Sequence, residues 1–262
     1  MSGLYWFLAL AGLFYLGAPI LLKFQQRMAA HPDLRPIDPS DLPPSVSLCL
    51  QESAHALIKD GFSVSECLAL PYPMPNIAAS IIMLINRDTG DKAMATAIFS
   101  TNAATPHIQT KYLEFSTRFE DDHCVDTLNG NILSSFPPDA NDVKSQLPQV
   151  QDPNQLYRLH RFVLERTGPH GRPVVYEKGK AIAYLAQKVL VDSYERQVER
   201  GWLVRDATGD AYYPSWRGAY IMTWQQLWPW SLVRRAQMRQ KARELVTDYE
   251  RSNAPAELSG IT

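Results

Sequence analysis

The chain has 262 residues, of which 45% are hydrophobic and 20% are charged, and its formal net charge is −1. This is the composition of a globular protein with room for one large or two small domains. The charge is uneven, because residues 28–171 hold 10 Lys or Arg against 17 Asp or Glu, whereas residues 172–251 hold 14 against 9, and this asymmetry indicates two units with different surroundings.

The first predicted element is the uncharged stretch LYWFLALAGLFYLGAPILL, residues 4–22. As a helix it would be about 28 Å long at roughly 1.5 Å per residue, close to the ~30 Å hydrocarbon core of a bilayer. No cation precedes it, which does not fit a cleaved signal peptide, and Lys23 and Arg27 follow it. Residues 1–27 are therefore predicted to be a transmembrane signal-anchor, single-pass in the cell membrane, with the N-terminus outside and the C-terminal domain cytoplasmic. The three cysteines form no CxxC pair and agree with a reducing compartment.

Residues 28–45 are rich in proline and are predicted to be an extended linker. Residues 46–170 are predicted to be an α+β domain. A helical pattern begins near Val46 and stops at Gly61, and alternating strands follow, with hairpin turns at RDTGDK and EDDH. A second helix is marked by Asp152 as its N-cap, by a proline in its first position, and by Gly168 at its end. This order predicts an antiparallel sheet with covering helices.

A polar cluster in the second hairpin is the candidate site of this domain. It consists of Arg118, Asp121, Asp122, His123, Cys124 and Asp126. A thiol beside an imidazole is the pairing of an activated nucleophile, but neighbouring residues of a strand point to opposite faces, so His123 and Cys124 are expected to diverge. The six histidines have no HExxH or HxH spacing, and the chain has no GxGxxG, GxxxxGK[ST] or GxSxG motif. No catalytic residue, metal ligand or cofactor is therefore assigned.

Residues 171–251 are predicted to be a basic helical unit with a hairpin. A helix ends at Gly201, a short hairpin turns at DATGD, and a later helix is interrupted at Pro229. Residues 252–262 are predicted to be a disordered tail. The predicted fold class is thus α+β, with an N-terminal transmembrane helix, an antiparallel sheet with covering helices, and a helical C-terminal unit with a short β-hairpin.

The hairpin resembles the tail of a winged-helix domain over a short stretch. The residues that carry the likeness are Gly201, Asp206, Gly209, Tyr213, Ser215 and Gly218. That family's fold needs two or three short helices before the wing, whereas one long helix precedes it here. The turn, residues 205–210, carries one cation and two anions, the wrong sign for phosphate. The resemblance implies a DNA-binding regulator, and the charge argues against nucleic acid as a partner.

Tryptophans and cations cluster after the hairpin, where residues 217–243 hold six cations and no Asp or Glu. This surface is predicted to contact a lipid bilayer, since Trp favours the interface and cations are attracted to an anionic leaflet. The alternatives are a tryptophan core with a solvated cationic face, and a nucleic-acid surface. The residues of the predicted membrane surface are Trp224, Trp228, Trp230, Arg234, Arg235, Arg239, Lys241 and Arg243.

These elements predict a single-pass membrane-anchored protein whose cytoplasmic α+β domain binds a protein partner or a small ligand. One alternative is a membrane-tethered enzyme with its site at the polar cluster. The other is a membrane-anchored, winged-helix-like DNA-binding regulator. A deep pocket on the polar face of the sheet would favour the enzyme, whereas a flat face would favour partner binding.

Overall fold

The computed structural model describes residues 2–31, 33–70, 76–101, 106–168, 171–177 and 179–253. The chain forms two compact units, each assembled from three stretches. Unit 1 comprises Met1–Arg35, Leu133–Pro137 and Tyr176–Arg235, and unit 2 comprises Pro36–Ile132, Pro138–Val175 and Ala236–Thr262.

Helices and short strands frame a longer run of strands in the first half of the chain. The helices are α1 (Ser2–Gln25), α2 (Pro44–Ile58), α3 (Pro153–Thr167), α4 (Ala181–Tyr184), α5 (Asp192–Glu199), α6 (Trp216–Gln226) and α7 (Trp230–Ser252), with a 3-10 turn at Pro39–Asp41 and a π-helical segment at Leu185–Val191. The strands are β1 (Met28–Ala29), β2 (Arg35–Pro36), β3 (Ser63–Leu70), β4 (Ile77–Ile85), β5 (Lys92–Ser100), β6 (Ile108–Arg118), β7 (Cys124–Leu128), β8 (Asp142–Gln146), β9 (Leu203–Arg205) and β10 (Ala211–Pro214).

A seven-stranded sheet in the order β2-β3-β4-β5-β6-β7-β8 forms the main layer of unit 2. From β3 to β7 each strand pairs antiparallel with the next. β8 instead lies parallel to β7, with Cys124 opposite Asp142 and Leu128 opposite Gln146. A parallel neighbour needs a long connection, and residues 129–141 supply it. The α+β prediction with an antiparallel sheet therefore holds for β3 to β7 and not for the last pair.

Two helices cover one face of this sheet. α2 buries four side chains at spacings of three and four residues, as one face of a helix requires: Val46, Leu50, Ala54 and Leu57. They meet the alternating apolar residues of β5 and β6, among them Ala95 and Phe115. α3 packs beside α2 and against β6 and β7. The core of unit 2 thus lies between these helices and the inner face of the sheet.

The ends of α3 follow the local rules on which the prediction was based. The Asp152 carboxylate accepts hydrogen bonds from the backbone N–H groups of Asn154 and Gln155. Gly168 ends the helix with φ of 91°, a conformation that glycine adopts without a steric penalty. The predicted start and end of this helix are therefore confirmed. α7 ends at Ser252, and from residue 254 onward the predicted disordered tail lies outside the described residues.

Unit 1 contains a three-stranded sheet with helices around it. β9 and β10 form the predicted hairpin, and β1 pairs with the other side of β10. The helical run before the hairpin is continuous from α4 through the π-helical segment to α5. Its small core includes Ala30, Leu203 and Tyr212.

The predicted transmembrane anchor is wrong. Among the helices of the described residues, none is both long enough and apolar enough to cross a membrane. The stretch interpreted as an anchor is α1, which packs against α6 within unit 1. Pro19 is buried there, and the rings of Phe24 and Trp216 meet edge-to-face with centroids 5.9 Å apart. The apolarity of one stretch does not reveal such a neighbour, so the single-pass signal-anchor is corrected to an α+β fold with a large sheet.

Candidate functional site

An apolar groove between helix α2 and the edge of the sheet is the candidate binding site of unit 2. It encloses about 660 Å³ and is lined by Leu48, Ile58 and Val64, among others. These three residues are 60%, 51% and 48% exposed. Large apolar side chains are more often buried, and a contiguous exposed group of them marks an interaction surface. We call this feature the α2–β3 groove.

The groove exists because the helix layer ends before the sheet does. α2 lies over β4, β5 and β6, and α3 lies over β6 and β7. Strands are about 4.8 Å apart and packed helices about 8–10 Å apart, so one helix covers about two strands. In the part of the chain that the structure describes, no helix covers the Val64 end of β3. The side chain of Val64 and the outer flank of α2 therefore face solvent together.

The strand that borders the groove is poorly suited to accept a further strand. β3 lies near the edge of the sheet, with only the two-residue β2 beyond it. A register shift between Val64 and Glu66 marks a bulge in β3, and Pro36 lies in β2. Bulges and prolines are features that blunt sheet edges against strand addition. The rim on the helix side is polar, because Glu52 and His55 line it.

A buried polar network lies beneath α3, and the sequence did not predict it. The carboxylate of Asp91 is fully buried and accepts four side-chain hydrogen bonds. The donors are the hydroxyl groups of Thr89 at 2.8 Å, of Tyr157 at 2.9 Å and of Thr117, and the guanidinium of Arg161 at 3.1 Å. A buried carboxylate stays charged only when it is paired and hydrogen-bonded in this way.

His160 extends this network across the sheet. Its Nε2 lies 2.9 Å from the Thr117 hydroxyl, and its Nδ1 lies 3.1 Å from the Thr127 hydroxyl. Because the Thr117 hydroxyl donates to Asp91, it accepts from His160, which assigns the proton to Nε2 and makes Nδ1 the acceptor. Burial lowers the pKa of His160 to about 4, so the ring is neutral at neutral pH.

The charges of this network are balanced inside unit 2. Burial alone would raise the pKa of Asp91, but attraction to His160 and hydrogen bonds from Thr117 and Thr89 bring that pKa below its usual value. The Lys92 ammonium donates to the carbonyl oxygens of Gly90 at 3.0 Å and Val174 at 2.5 Å. Burial lowers the pKa of Lys92 to about 8. The contacts of Asp91 hold the turn between β4 and β5 against α3, and the contact of Lys92 with Val174 holds it against residues 171–177, so the network has a structural role.

The predicted polar cluster is divided between a buried strand face and a turn. Arg118 and Cys124 face each other across β6 and β7, and Asp126 follows on the same face of β7. Asp121, Asp122 and His123 lie in the turn between these strands. There the Nδ1 atom of His123 is 3.1 Å from a carboxylate oxygen of Asp121. The structure therefore brings together Arg118, Cys124 and Asp126 and places the imidazole elsewhere.

The surroundings of Cys124 do not suit a nucleophile. It is almost completely buried, and its thiol donates to the Asp126 carboxylate at 3.2 Å and lies 3.7 Å from the Ser116 hydroxyl. Burial and the negative charge of Asp126 raise the pKa of Cys124 well above its usual value. Reactive thiols need a lowered pKa and access to solvent. The polar face of the sheet is occupied here by side chains that contact one another.

The cation of the hairpin is paired, whereas most of the predicted membrane surface is exposed. The cation of the hairpin turn, Arg205, forms an ion pair with Glu195. Of the predicted membrane surface, Trp224, Trp228 and Trp230 are exposed. Arg234 instead turns inward and donates to the carbonyl oxygens of Ser134 at 3.1 Å and Gln225 at 3.4 Å. Arg235 is half-buried, and Arg239, Lys241 and Arg243 are exposed on the part of α7 that belongs to unit 2.

The chain matches no protein-family model, and comparison with curated proteins and with solved structures finds no significant match. The function is therefore inferred from the geometry of the structure.

The sequence contained a signal for the groove and a signal for the polar network. Leu48 lies off the buried stripe of α2, and His160 lies four residues after Leu156 and three before Val163, on the buried face of α3.

Proposed function

We propose that the protein is a protein-binding module and that the α2–β3 groove holds the apolar face of a helix from a partner protein. The observation that carries this proposal is the exposure of Leu48, Ile58 and Val64 around one groove. Removing such surface from water is the main driving force of association. A buried apolar centre with a polar rim is the usual anatomy of a protein interface.

A helix suits this groove because it would continue the layer that α2 and α3 begin. An amphipathic helix presents apolar residues at spacings of three and four, which can enter a groove one above the other. Strand addition is disfavoured by the bulge after Val64 and by Pro36. A small ligand is ordinarily buried over roughly 70–90% of its surface, whereas this groove is open along its length.

The charge around the groove indicates which residues should lie beside the apolar stripe of the partner helix. Residues 28–171, which include the groove, hold seven more acidic than basic residues, 17 against 10. Glu52 lies on the rim itself. Complementary charge steers encounter and sets orientation, so the partner helix should carry Lys or Arg beside its apolar stripe.

The two other functions find no support in the geometry of their candidate residues. Catalysis by the polar cluster would need an accessible thiolate, and Cys124 is buried beside Asp126 with a raised pKa. DNA binding by the hairpin would need a free cation, and Arg205 is paired with Glu195.

The proposal can be tested with a phage-displayed library of random 18-residue peptides, panned against the full chain. Recovered peptides should share apolar residues at helical spacing with flanking cations. A Leu48→Asp/Val64→Asp variant should bind them at least about 10-fold more weakly, since charges placed in an apolar interface are desolvated without a partner. Affinity is measured by fluorescence polarisation of the labelled peptides.

The matched control is Ile132→Asp/Val143→Asp, which places the same two charges at exposed apolar positions of unit 2 outside the groove. It should bind like the wild type. Peptides without helical periodicity, or equal binding by both double variants, would show that the groove is not a helix site. Recovery of alternating apolar sequences would replace the helix with a strand.

A further inference from the structure

A second exposed apolar surface lies in unit 1, at the junction between α6 and α7. Trp224, Trp228 and Trp230 are 45%, 68% and 57% exposed, and Leu232 and Val233 beside them are also exposed. We call these five residues the Trp tip. Tryptophan has the largest apolar side chain, so three of them facing outward within seven residues point to contact with another surface.

Trp224 lies on the outer side of α6, because the inner side of this helix packs closely in unit 1. That face buries Gly218, Ala219, Met222 and Thr223. A Cβ added to Gly218 would lie 1.9 Å from the carbonyl oxygen of Trp202. The helix therefore approaches the backbone before the hairpin too closely for any side chain at position 218.

The Trp tip is held in place by hydrogen bonds on its inner side. The Gln226 side chain donates to the Ser135 hydroxyl at 3.1 Å. The Arg234 guanidinium donates to the Ser134 and Gln225 carbonyl oxygens. These bonds fix both helix ends at the junction, so little conformational freedom remains to be lost when the surface makes a contact.

The charge near the Trp tip has one sign. From residue 211 to residue 243 the chain contains no Asp or Glu. The stretch Leu133–Pro137, which bonds to the tip, is uncharged. Unit 1 as a whole holds 12 Lys or Arg against 7 Asp or Glu. An anionic surface complements this arrangement, whereas a second copy would bring like charges together.

We propose that the Trp tip of unit 1 rests on an anionic lipid surface, with the indole rings at the level of the headgroups. Tryptophan partitions to that level because it has an apolar body and one polar N–H. Cations attract the headgroups over about a Debye length. The contact is peripheral and independent of any spanning helix, and it is distinct from the groove of unit 2.

The test uses the full chain and vesicles of phosphatidylcholine, either pure or with about 30 mol% phosphatidylserine as the source of surface charge. Cosedimentation is measured at low salt and at about 1 M salt, where the Debye length is about 3 Å. Because α1 also exposes apolar side chains, among them Leu13 and Phe14, binding to pure phosphatidylcholine is the background. Binding above it should require phosphatidylserine and fall with salt.

Two variants assign that binding to the surface described. Trp228→Ser/Trp230→Ser and Arg217→Gln/Arg235→Gln, all within unit 1, should each lower the partition coefficient at least about 10-fold, since both the apolar and the electrostatic contributions are needed. Lys59→Gln/Lys111→Gln removes two exposed cations of unit 2 and should change nothing. Circular dichroism confirms that each variant is folded.

Three results would overturn the proposal. One is binding that does not depend on phosphatidylserine, and another is an equal loss in the control variant. The third is evidence that the surface binds a partner other than lipid. Competition by a 20-nucleotide single strand of thymidine at matched charge would assign the surface to nucleic acid. Dimerisation in sedimentation equilibrium that the tryptophan variant abolishes would assign it to a second copy.

Discussion

Two regions of unit 2 differ in what their side chains do. Around Asp91, a carboxylate, an imidazole and the hydroxyl groups of Thr117, Thr127 and Tyr157 are enclosed by α3 and the sheet, and each is hydrogen-bonded within the fold. Around Leu48, apolar side chains face solvent. The residue types associated with catalysis are thus used for stability, while the accessible surface is apolar and suited to association. Residue chemistry indicates a function only when burial and partners are known.

A large effect is expected from removing the centre of the polar network. An Asp91→Ala substitution leaves the Arg161 guanidinium and the Thr117 and Tyr157 hydroxyls without their acceptor. We expect the free energy of unfolding in urea to fall by about 2–4 kcal/mol, because two buried hydroxyl groups lose their acceptor while the partly exposed Arg161 can turn to solvent. Asp88→Ala, in the same turn but exposed, should change it by less than about 0.5 kcal/mol. Similar losses of unfolding free energy in both variants would show that the buried network does not stabilise the fold more than the exposed part of the turn does.

Two leucines on α2 test whether the apolar groove is separate from the core. Leu50 is buried in the core and Leu48 faces the groove. Leu50→Ala should lower the free energy of unfolding by about 2–5 kcal/mol, through lost apolar contact and a cavity. Leu48→Ala should change it by less than about 0.5 kcal/mol. A large loss from Leu48→Ala, measured by the same urea titration, would mean that the groove is part of the core.

The pH dependence of stability reports on His160. Its folded-state pKa is about 4, below the value of about 6.5 expected in the unfolded chain. Between these values the unfolded state binds a proton that the folded state does not, so stability falls as pH falls. The loss should total about 3 kcal/mol between pH 7 and pH 4, since one pKa unit is about 1.4 kcal/mol.

His160→Gln provides the comparison for that pH series. The substitution removes the titrating group, so the difference in unfolding free energy between the wild type and the variant should shrink as pH falls from 7 to 4. The remaining histidines are common to both proteins and cancel in this difference. A difference that stays constant with pH would show that the ring titrates freely in the folded state, and a difference that grows as pH falls would show that the folded state holds the ring charged.

The smallest effect concerns chemical reactivity and leaves stability unchanged. All three thiols are unpaired, as their spacing predicted. Cys49 is partly exposed, whereas Cys124 is buried with a raised pKa. In the folded protein a disulfide reagent should modify Cys124 at least about 100-fold more slowly than Cys49, because the thiolate is the reacting species. Single-cysteine variants separate the two rates, and equal rates in urea serve as the control.

Parts of unit 2 could be predicted because their signals are local. Asp152 and Gly168 mark the ends of α3 within the sequence itself, and the alternation along β6 separates Phe115 from Ser116 without reference to the rest of the chain. The parallel placement of β8 could not be predicted in this way, since it depends on where a long connection returns.

The sites depend on contacts between distant residues. Asp91 and Thr117 are 26 residues apart, and Thr117 and His160 are 43 apart, so no spacing rule joins them. The exposure of Leu48 depends on which strands α2 covers, a property of the packed layer. The membrane anchor was wrong for the same reason, because the packing of α1 against α6 is a long-range contact.

That long-range contact has a consequence for protein synthesis. Helix α6 is translated about 190 residues after α1, which at roughly 5–20 residues per second takes about 10 to 40 seconds. During this interval Pro19, which is buried in the folded protein, and the ring of Phe24, which contacts Trp216, have no α6 beside them. Apolar surface that is exposed for this long makes a nascent chain prone to aggregation, so the yield of folded protein should depend on how quickly synthesis reaches α6.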